Sequence, residues 1–281
     1  MSPPVVVLGA RGMLGTDLMD CLARRHIAAK GYDLPEVDIT NTEHLKNVFE
    51  CAKVVVNCAA CTNVEKAESE TEPAFRVNGQ AVGILGRLAK ERSIPVLHIS
   101  TDFVFDGTLG RPYVETDPAN PLGAYGKSKY EGEKMLSVSG CQFCIVRLQW
   151  TYGRAGVNFV RKIVAAARAG KPLRVVDDQV GSPTATAETA KILCRMIELP
   201  TFPEGVYHLA AKGYISRYEM TRFIFDALKM NINLSPCKTS DFPTAAKRPL
   251  NSRFDCRKLE QLLAVEMRPW QEPLREYLER L

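Results

Sequence analysis

The chain of 281 residues contains no apolar run near the roughly 18 residues that a membrane-spanning helix needs, so a membrane partner is not expected. Its start, Met1-Ser2-Pro3-Pro4, carries no basic residue, and the apolar stretch after it ends at Leu8. A secretory leader is therefore not expected, and the cytoplasm is the expected location. Blocks of like charge are also missing. The formal net charge is only +5, and Lys and Arg are interspersed with Asp and Glu, which argues against a nucleic-acid partner. Histidine is scarce. The four present, His26, His44, His98 and His208, form no Ser-His-Asp arrangement and read as scaffold positions. A paired cysteine framework is absent as well, because the nine cysteines are odd in number and several, such as Cys58 and Cys144, sit in apolar runs. Free thiols in a reducing compartment are expected. The spacings Cys58/Cys61 and Cys141/Cys144 match a zinc site only formally. The second pair leads into the strand-like run Ile145 to Leu148, where residues three apart point to opposite faces.

The first half alternates two periodicities. Short apolar runs (Val5 to Leu8, Ile27 to Tyr32, Val54 to Val56, Pro95 to Ile99, Cys144 to Leu148) read as buried strands. Between them lie helical patterns over Leu14 to Arg25, Thr42 to Cys51, one long helix from Pro73 to Arg92, and Tyr125 to Leu136. Strands of this kind separated by helices predict an α/β fold with a doubly wound parallel sheet. After Trp150 the helices Phe159 to Ala169, Ala187 to Glu198, Arg217 to Leu228, Arg257 to Leu263 and Gln271 to Leu281 are joined by Pro-rich connections. The division expected is residues 1–150 as the cofactor-binding domain and 151–281 as a smaller, mainly substrate-binding region, with some later segments returning to the sheet.

The first strand runs into Gly9-Ala10-Arg11-Gly12-Met13-Leu14-Gly15 and then into a helix. Glycines in such a loop permit a tight turn, a close approach of backbone to a pyrophosphate, and close packing of helix on strand. The helix start then offers free N–H groups and a partial positive charge to phosphate. This is the signature of a Rossmann-type dinucleotide site, with Gly9, Arg11, Gly12, Met13 and Leu14 against the cofactor. Asp33 ends the second strand, where a carboxylate accepts hydrogen bonds from the adenosine ribose and repels a 2′-phosphate. Arg11 pulls the other way, so NADH and NADPH both stay open. Asp38 and Ile39 are placed near the adenine. The small residues Ala59 and Ala60, with Thr62, follow the third strand and let a cofactor lie flat across the sheet edge.

Three groups then follow in order: Ser100-Thr101-Asp102 at a strand end, Tyr125, and Lys129 four residues later. The last two share a helix face. A free tyrosine has a pKa near 10, and a nearby ammonium is expected to lower it into working range. Lys129 is also suited to a nicotinamide ribose, and Thr101 to holding a substrate carbonyl beside Tyr125. Thr101, Tyr125 and Lys129 are thus the candidate catalytic residues for proton transfer coupled to nicotinamide chemistry.

These blocks, with Asn57-Cys58-Ala59-Ala60-Cys61-Thr62-Asn63-Val64-Glu65, Ser100 to Gly107, Pro121 to Lys129, Arg147 to Gly153, Asp178 to Thr184 and Arg248-Pro249-Leu250-Asn251-Ser252-Arg253, resemble the dTDP-4-dehydrorhamnose reductase family of the extended short-chain dehydrogenases/reductases. The resemblance covers nearly the whole length. It implies reduction, by NADPH or NADH, of the C4 keto group of a nucleotide-linked 4-dehydro-6-deoxysugar. It assigns Val64, Glu65, Asp102, Phe103, Trp150 and Arg253 to the sugar nucleotide, with Trp150 stacking on or closing over the sugar and Arg253 meeting the diphosphate. Many members have tyrosine where Phe103 stands, which removes one substrate hydrogen bond. Some members hold Mg²⁺ at a dimer interface. Asp17 and Glu188 match two of the acidic positions and Glu279 only loosely, so no metal is expected, while a homodimer is compatible with the resemblance. Two other functions share the scaffold: a different nucleotide-sugar epimerase or reductase, and a non-catalytic subunit resembling the regulatory beta subunit of methionine adenosyltransferase.

Overall fold

Runs of adjacent valines lose little by extending and gain most when both faces are covered, and they become the centre of the molecule. A computed structural model describes residues 3–50, 52–170 and 172–281. In its first part β1 (Val5–Leu8), α1 (Met13–Arg24), β2 (Ala29–Tyr32), α2 (Thr42–Phe49), β3 (Val54–Asn57), α3 (Val64–Ser69), α4 (Thr71–Phe75), α5 (Ala81–Arg92), β4 (Val96–Thr101), α6 (Ala124–Ser137) and β5 (Phe143–Leu148) follow one another. The second part adds β6 (Thr151–Tyr152), α7 (Phe159–Arg168), β7 (Leu173–Val176), β8 (Val180–Gly181), β9 (Thr184–Ala185), α8 (Thr186–Ile197), β10 (Gly205–Leu209), β11 (Ile215–Ser216), α9 (Arg217–Ala227), β12 (Leu234–Cys237), α10 (Arg257–Leu263) and α11 (Gln271–Leu278).

Six strands form one parallel sheet in the order β10-β5-β4-β3-β1-β2. The doubly wound parallel α/β sheet predicted from the alternating pattern is what forms. Alternation within the strands divides the core. Val5 and Val7 pack with Val54, Val56, Leu97 and Val146 under α1, α8 and α10. Val6 and Leu8 pack with Val55, Val96 and Ile145 under α2, α5 and α6. Cys144 lies in the first cluster and Cys141 in the second, so that pair faces opposite sides of the sheet. The cysteines among the described residues are free. A third cluster is built from α7, α9 and α11 around Tyr152, Val160, Ile224, Trp270 and Leu274. Strand β10 comes from the second part of the chain and completes the sheet beside β5. Among the described residues no helix is long and apolar enough to cross a membrane.

Several element boundaries differ from the sequence expectation by one or more residues. The second strand starts at Ala29 rather than Ile27, and the fourth at Val96 rather than Pro95, because proline has no N–H for the ladder. The expected helix from Pro73 to Arg92 is broken by a π-turn over Arg76–Gln80. Its cause is Asn78, a buried side chain that accepts the Cys61 N–H at 2.8 Å and donates to the Cys61 carbonyl at 3.0 Å and to Ser128 Oγ at 3.0 Å. A one-residue widening of the helix aims that amide inward, a common use of such bulges. Helix α6 packs tightly on the turn: a Cβ at Gly132 would lie 2.1 Å from the Asn78 carbonyl oxygen.

Candidate active site

The winding reverses direction between β1 and β3, and the carboxyl ends of these strands open a crevice there. Gly9 leaves β1 at φ +74°, and a Cβ on it would lie 2.7 Å from the Ala59 nitrogen, so the loop after β1 lies directly against the loop after β3. At Gly15 a Cβ would stand 2.1 Å from the Gly9 carbonyl oxygen, which is why helix α1 can begin so close to the strand. Gly12 caps α1 and has no side chain to offer, so the first N–H groups of the helix stay open to a ligand.

A cleft of about 620 Å³ runs from this loop across the sheet edge, within the roughly 300–1,000 Å³ range of ligand sites. Gly9, Gly12, Met13, Leu14, Asp33, Asp38 and Ile39 line one end, with Ala59, Ala60 and Thr62 along the floor. Asp33 accepts the backbone N–H of Arg11 at 2.8 Å and of Leu34 at 2.9 Å. The Arg11 side chain turns away to the Leu34 carbonyl at 2.5 Å and to Glu36, and it does not line the cleft. Asp38 accepts the Thr40 N–H and hydroxyl, each at 2.8 Å, and the backbone bond holds its carboxyl below the usual range.

Thr101, Asp102, Phe103, Tyr125, Lys129, Val64 and Trp150 line the other end. Thr101 Oγ1 donates to Asp102 Oδ1 at 3.1 Å and accepts the Phe103 N–H at 3.2 Å. The Phe103 ring stands edge-on to Tyr125, centroids 5.5 Å apart. Burial moves three groups toward their neutral forms. It pushes the Tyr125 phenol up to about 12, against the Thr101 hydroxyl, which favours the phenolate. It lowers the Lys129 amine to about 8 and raises the Asp102 carboxyl to about 6. The expected lowering of the phenol by Lys129 is therefore not what the structure shows. The amine is turned to the Ile99 carbonyl at 2.7 Å and lies 3.3 Å from His98 Nε2, and burial sets the phenol.

Two expected substrate residues stand elsewhere. Glu65 does not line the cleft and is ion-paired with Arg248, accepting the Ala246 N–H at 3.2 Å. Arg253 lies outside the cleft, because its guanidinium donates to Asn251 Oδ1 at 2.9 Å and to the Gly110 carbonyl at 2.9 Å and leans over the Tyr214 ring. The arginines that do reach the cleft are Arg217 and Arg248. The Arg217 guanidinium lies 3.5 Å from the Trp150 ring centroid. Both arginines, with Phe103, Trp150 and Phe159, also wall an adjoining cavity of about 340 Å³. Arg217 is marked in the sequence by no motif, and Arg248 opens the block that ends at Arg253, of which the resemblance assigns only Arg253 to the sugar nucleotide. Arg217 merely opens a helix behind the Ser216/Glu219 capping box, and Arg248 enters through its partner Glu65. Asp17 and Glu188, weighed for a metal, belong to different networks. Asp17 pairs with Arg154 and Thr186, and Glu188 with Arg268 and Lys191.

The residues fit a dinucleotide. Among the described residues Ser100 Oγ, Asp102 Oδ2 and Gln149 Nε2 border the cleft, are buried, and find no hydrogen-bond partner in the protein. Buried polar atoms of this kind call for ligand or solvent atoms.

The model of the RmlD substrate binding domain family matches residues 3–281. The chain belongs to the dTDP-4-dehydrorhamnose reductase family. A dTDP-4-dehydrorhamnose reductase of Aggregatibacter actinomycetemcomitans is 36% identical over 286 residues, covering 96% of this chain and 97% of that one. A dTDP-4-keto-6-deoxy-D-glucose reductase of Streptomyces niveus is 36% identical over 226 residues, covering 79% and 78%. The crystal structure of the Bacillus anthracis dTDP-4-dehydrorhamnose reductase in complex with NADP superposes with a TM-score of 0.95 at 31% identity, covering 100% of both chains. This member of the family keeps its open helix start and its Tyr-Lys pair around one crevice, and it carries Phe103 against the phenol.

Proposed function

We propose that the chain reduces the C4 keto group of dTDP-4-dehydrorhamnose, giving dTDP-rhamnose, with NADPH or NADH as cofactor. The observation that carries this reading is the meeting of Thr101, Tyr125 and Lys129 in the cleft that begins at the glycine loop. Gly9, Gly12, Met13 and Leu14 would hold the pyrophosphate, Asp33 the adenosine ribose, Asp38 and Ile39 the adenine, and Ala59, Ala60 and Thr62 the flat passage across the sheet. Arg11 would have to leave Glu36 and the Leu34 carbonyl to meet a 2′-phosphate. When bound, the nicotinamide supplies the hydride. Tyr125 is protonated throughout the neutral range, since burial holds its phenol near 12, and it gives that proton to the C4 oxygen. Thr101 holds the same oxygen beside the phenol, and Lys129 orients the nicotinamide ribose.

On the substrate side, Val64, Asp102, Phe103 and Trp150 would surround the deoxysugar. Arg217 and Arg248 would meet the diphosphate, the place the family resemblance gives to Arg253, with Glu65 steadying Arg248. In this reading residues 1–150 carry the cofactor, and 151–281 mainly close over the sugar nucleotide. Free thiols support a reducing, cytoplasmic setting, and a homodimer is compatible with it. The name of the Streptomyces niveus relative favours one further substrate, dTDP-4-keto-6-deoxy-D-glucose, for the same site.

The test is a cofactor-oxidation assay on purified protein with both 4-keto sugars. Stoichiometric loss of NADPH or NADH with dTDP-4-dehydrorhamnose supports the reading, and loss only with the glucose-configured sugar moves it to the second substrate. Interconversion of sugar epimers without net cofactor loss would mean an epimerase. Zero turnover with recovery of a methionine adenosyltransferase in a pull-down would mean a regulatory subunit.

A further inference from the structure

The side of Lys129 away from the cleft is occupied by a histidine that the mechanism does not use. His98 in β4 has no exposed surface, and neither does Asn57 at the end of β3. The Asn57 side chain bridges two groups. Its Oδ1 accepts the Ala59 N–H at 3.1 Å, and its Nδ2 lies 3.1 Å from His98 Nδ1. The backbone N–H can only donate, so the amide oxygen must face Ala59 and the NH₂ must face the imidazole. Nδ1 of His98 is then an acceptor and carries no proton. A neutral imidazole has its proton on Nε2 in that case, and Nε2 is the atom 3.3 Å from Lys129 Nζ. An ammonium has three donors and no acceptor. Two donors facing one another make no hydrogen bond. A neutral amine completes the set: its lone pair accepts from His98 Nε2, and one of its N–H groups donates to the Ile99 carbonyl at 2.7 Å.

We propose that Asn57 fixes the tautomer of His98, and that His98 in turn donates a hydrogen bond to the neutral amine of Lys129, orienting it and lowering its affinity for a proton while the cleft is free of cofactor. His98 is thus a positioning residue acting through Lys129. The inference rests on the reading of Lys129 as the residue that meets the cofactor.

The other groups facing Lys129 agree with this. From the loop after β3 comes Cys58, whose thiol burial pushes up to about 12, so that it adds no charge. From α6 come Tyr125, whose phenol is also neutral, and Glu133, which favours the ammonium. The Glu133 carboxylate is engaged by Arg147 of β5 through bonds of 2.9 and 2.6 Å, so its pull on the amine is largely answered. Lys129 itself is 2% exposed, where an unpaired ammonium is costly. Burial lowers both the amine and the imidazole, so the imidazole is neutral at pH 7 and the amine gives up its proton far more readily than a free lysine.

The test reads the two side chains directly in the cofactor-free enzyme. Long-range proton–nitrogen NMR assigns the His98 tautomer. Nitrogen-detected titration of lysine side chains, with Lys129→Met to assign the signal, gives the pH at which Lys129 changes charge. The expected result is a proton on His98 Nε2 and a Lys129 transition near 8, against about 10.4 for a free lysine. His98→Asn, whose amide is too short to reach the amine, should raise the proton affinity of Lys129 at least tenfold. His98→Gln, whose amide nitrogen stands near the position of Nε2, should shift it by less than threefold. A proton on Nδ1 overturns the proposal, and so does a Lys129 transition unchanged in His98→Asn. Should both variants fail to fold, the wild-type tautomer and titration decide alone. A Lys129 that behaves as stated in a protein that turns over no 4-keto sugar sinks the reductase reading and leaves this one standing.

Discussion

A single methyl group at Gly181 should disable the substrate end of the cleft. A Cβ built there lies 2.6 Å from Cε2 of Trp150 and 2.9 Å from both Cδ2 and Nε1. Cε2 is enclosed in the ring plane by its bonded neighbours, so these distances place the methyl over a face of the indole. The Arg217 guanidinium, 3.5 Å from the ring centroid, then covers the opposite face, because two groups so near cannot share one. Carbon atoms in contact sit roughly 3.5–4.0 Å apart, so Gly181→Ala requires a shift of about 1 Å. The backbone is not free to supply it. Gly181 is paired with Ile215 of β11, and the next N–H, of Ser182, donates to Gln149 Oε1 at 3.0 Å. The ring must move toward Arg217. Overpacking of this kind costs about 1–3 kcal/mol, and a misplacement of about 1 Å in a site can cost 10²-fold in rate. The expected outcome is a folded enzyme with a slightly lowered Tm, a kcat/KM for the sugar nucleotide down by about 100-fold, and unchanged binding of NADPH at the far end. Trp150 emission should change as well. Near-normal kcat/KM in Gly181→Ala would refute the role given to the indole and its guanidinium partner.

Tyr125→Phe removes the proton donor without emptying the site, so kcat should fall by about 10²–10⁴-fold while binding of the sugar nucleotide is largely kept. Single-turnover and binding measurements separate the two, and near-normal kcat would refute the assignment. Asp33→Ala removes a carboxylate that would repel a 2′-phosphate, so the ratio of kcat/KM for NADPH over NADH should rise on the order of tenfold, and an unchanged ratio would count against its ribose role. Asp102→Asn concerns pH. Burial raises the carboxyl from 3.8 to about 6, so the folded state binds the proton more tightly than the unfolded state. Stability from this group is therefore fully present at low pH and is lost as pH rises from about 4 to about 6, on the order of 3 kcal/mol in all. Urea midpoints of wild type and Asp102→Asn should diverge in the variant's favour across that window, and parallel curves would show that Asp102 is not held in its acid form.

How far the sequence speaks depends on the range of the forces involved. The strands Val5–Leu8 and Val54–Asn57 are legible because burial on both faces leaves uninterrupted apolar runs, and the turn at Gly9 because its φ of +74° excludes most other residues. Tyr125 and Lys129 are legible because one helical turn joins them. The π-turn at Arg76–Gln80 is not, since Asn78 takes its partners from Cys61 and Ser128, far away in the chain. The two-residue strands β6, β8, β9 and β11 carry no periodicity of their own and exist only through distant pairings. Arg248 and Arg253 share one sequence block and Arg217 stands in none, and tertiary packing alone sends Arg217 and Arg248 into the cleft and Arg253 onto Tyr214. His98 reads as one more residue of a buried strand until its neighbours are known.

The charge state of the reactive end has a chemical direction. Burial drives Tyr125, Lys129 and Asp102 each toward its uncharged form, and His98 with them. A phenol near 12 keeps its proton and is uncharged at neutral pH, whereas a neutral amine is an acceptor and a weak donor. Of the groups in reach of a bound carbonyl, the phenol is thus the one prepared to give a proton, and the ligand-free site is poised for reduction. Oxidation of the alcohol would first require the phenolate, which the same burial opposes until another charge compensates it. Lowering that barrier from within needs Lys129 as an ammonium, the form that a hydrogen bond from His98 Nε2 disfavours. The pH at which Lys129 takes up its proton therefore sets how readily the site runs in each direction, and measuring kcat forward and backward across that pH in wild type and His98→Asn would separate a site biased toward reduction from one that is indifferent.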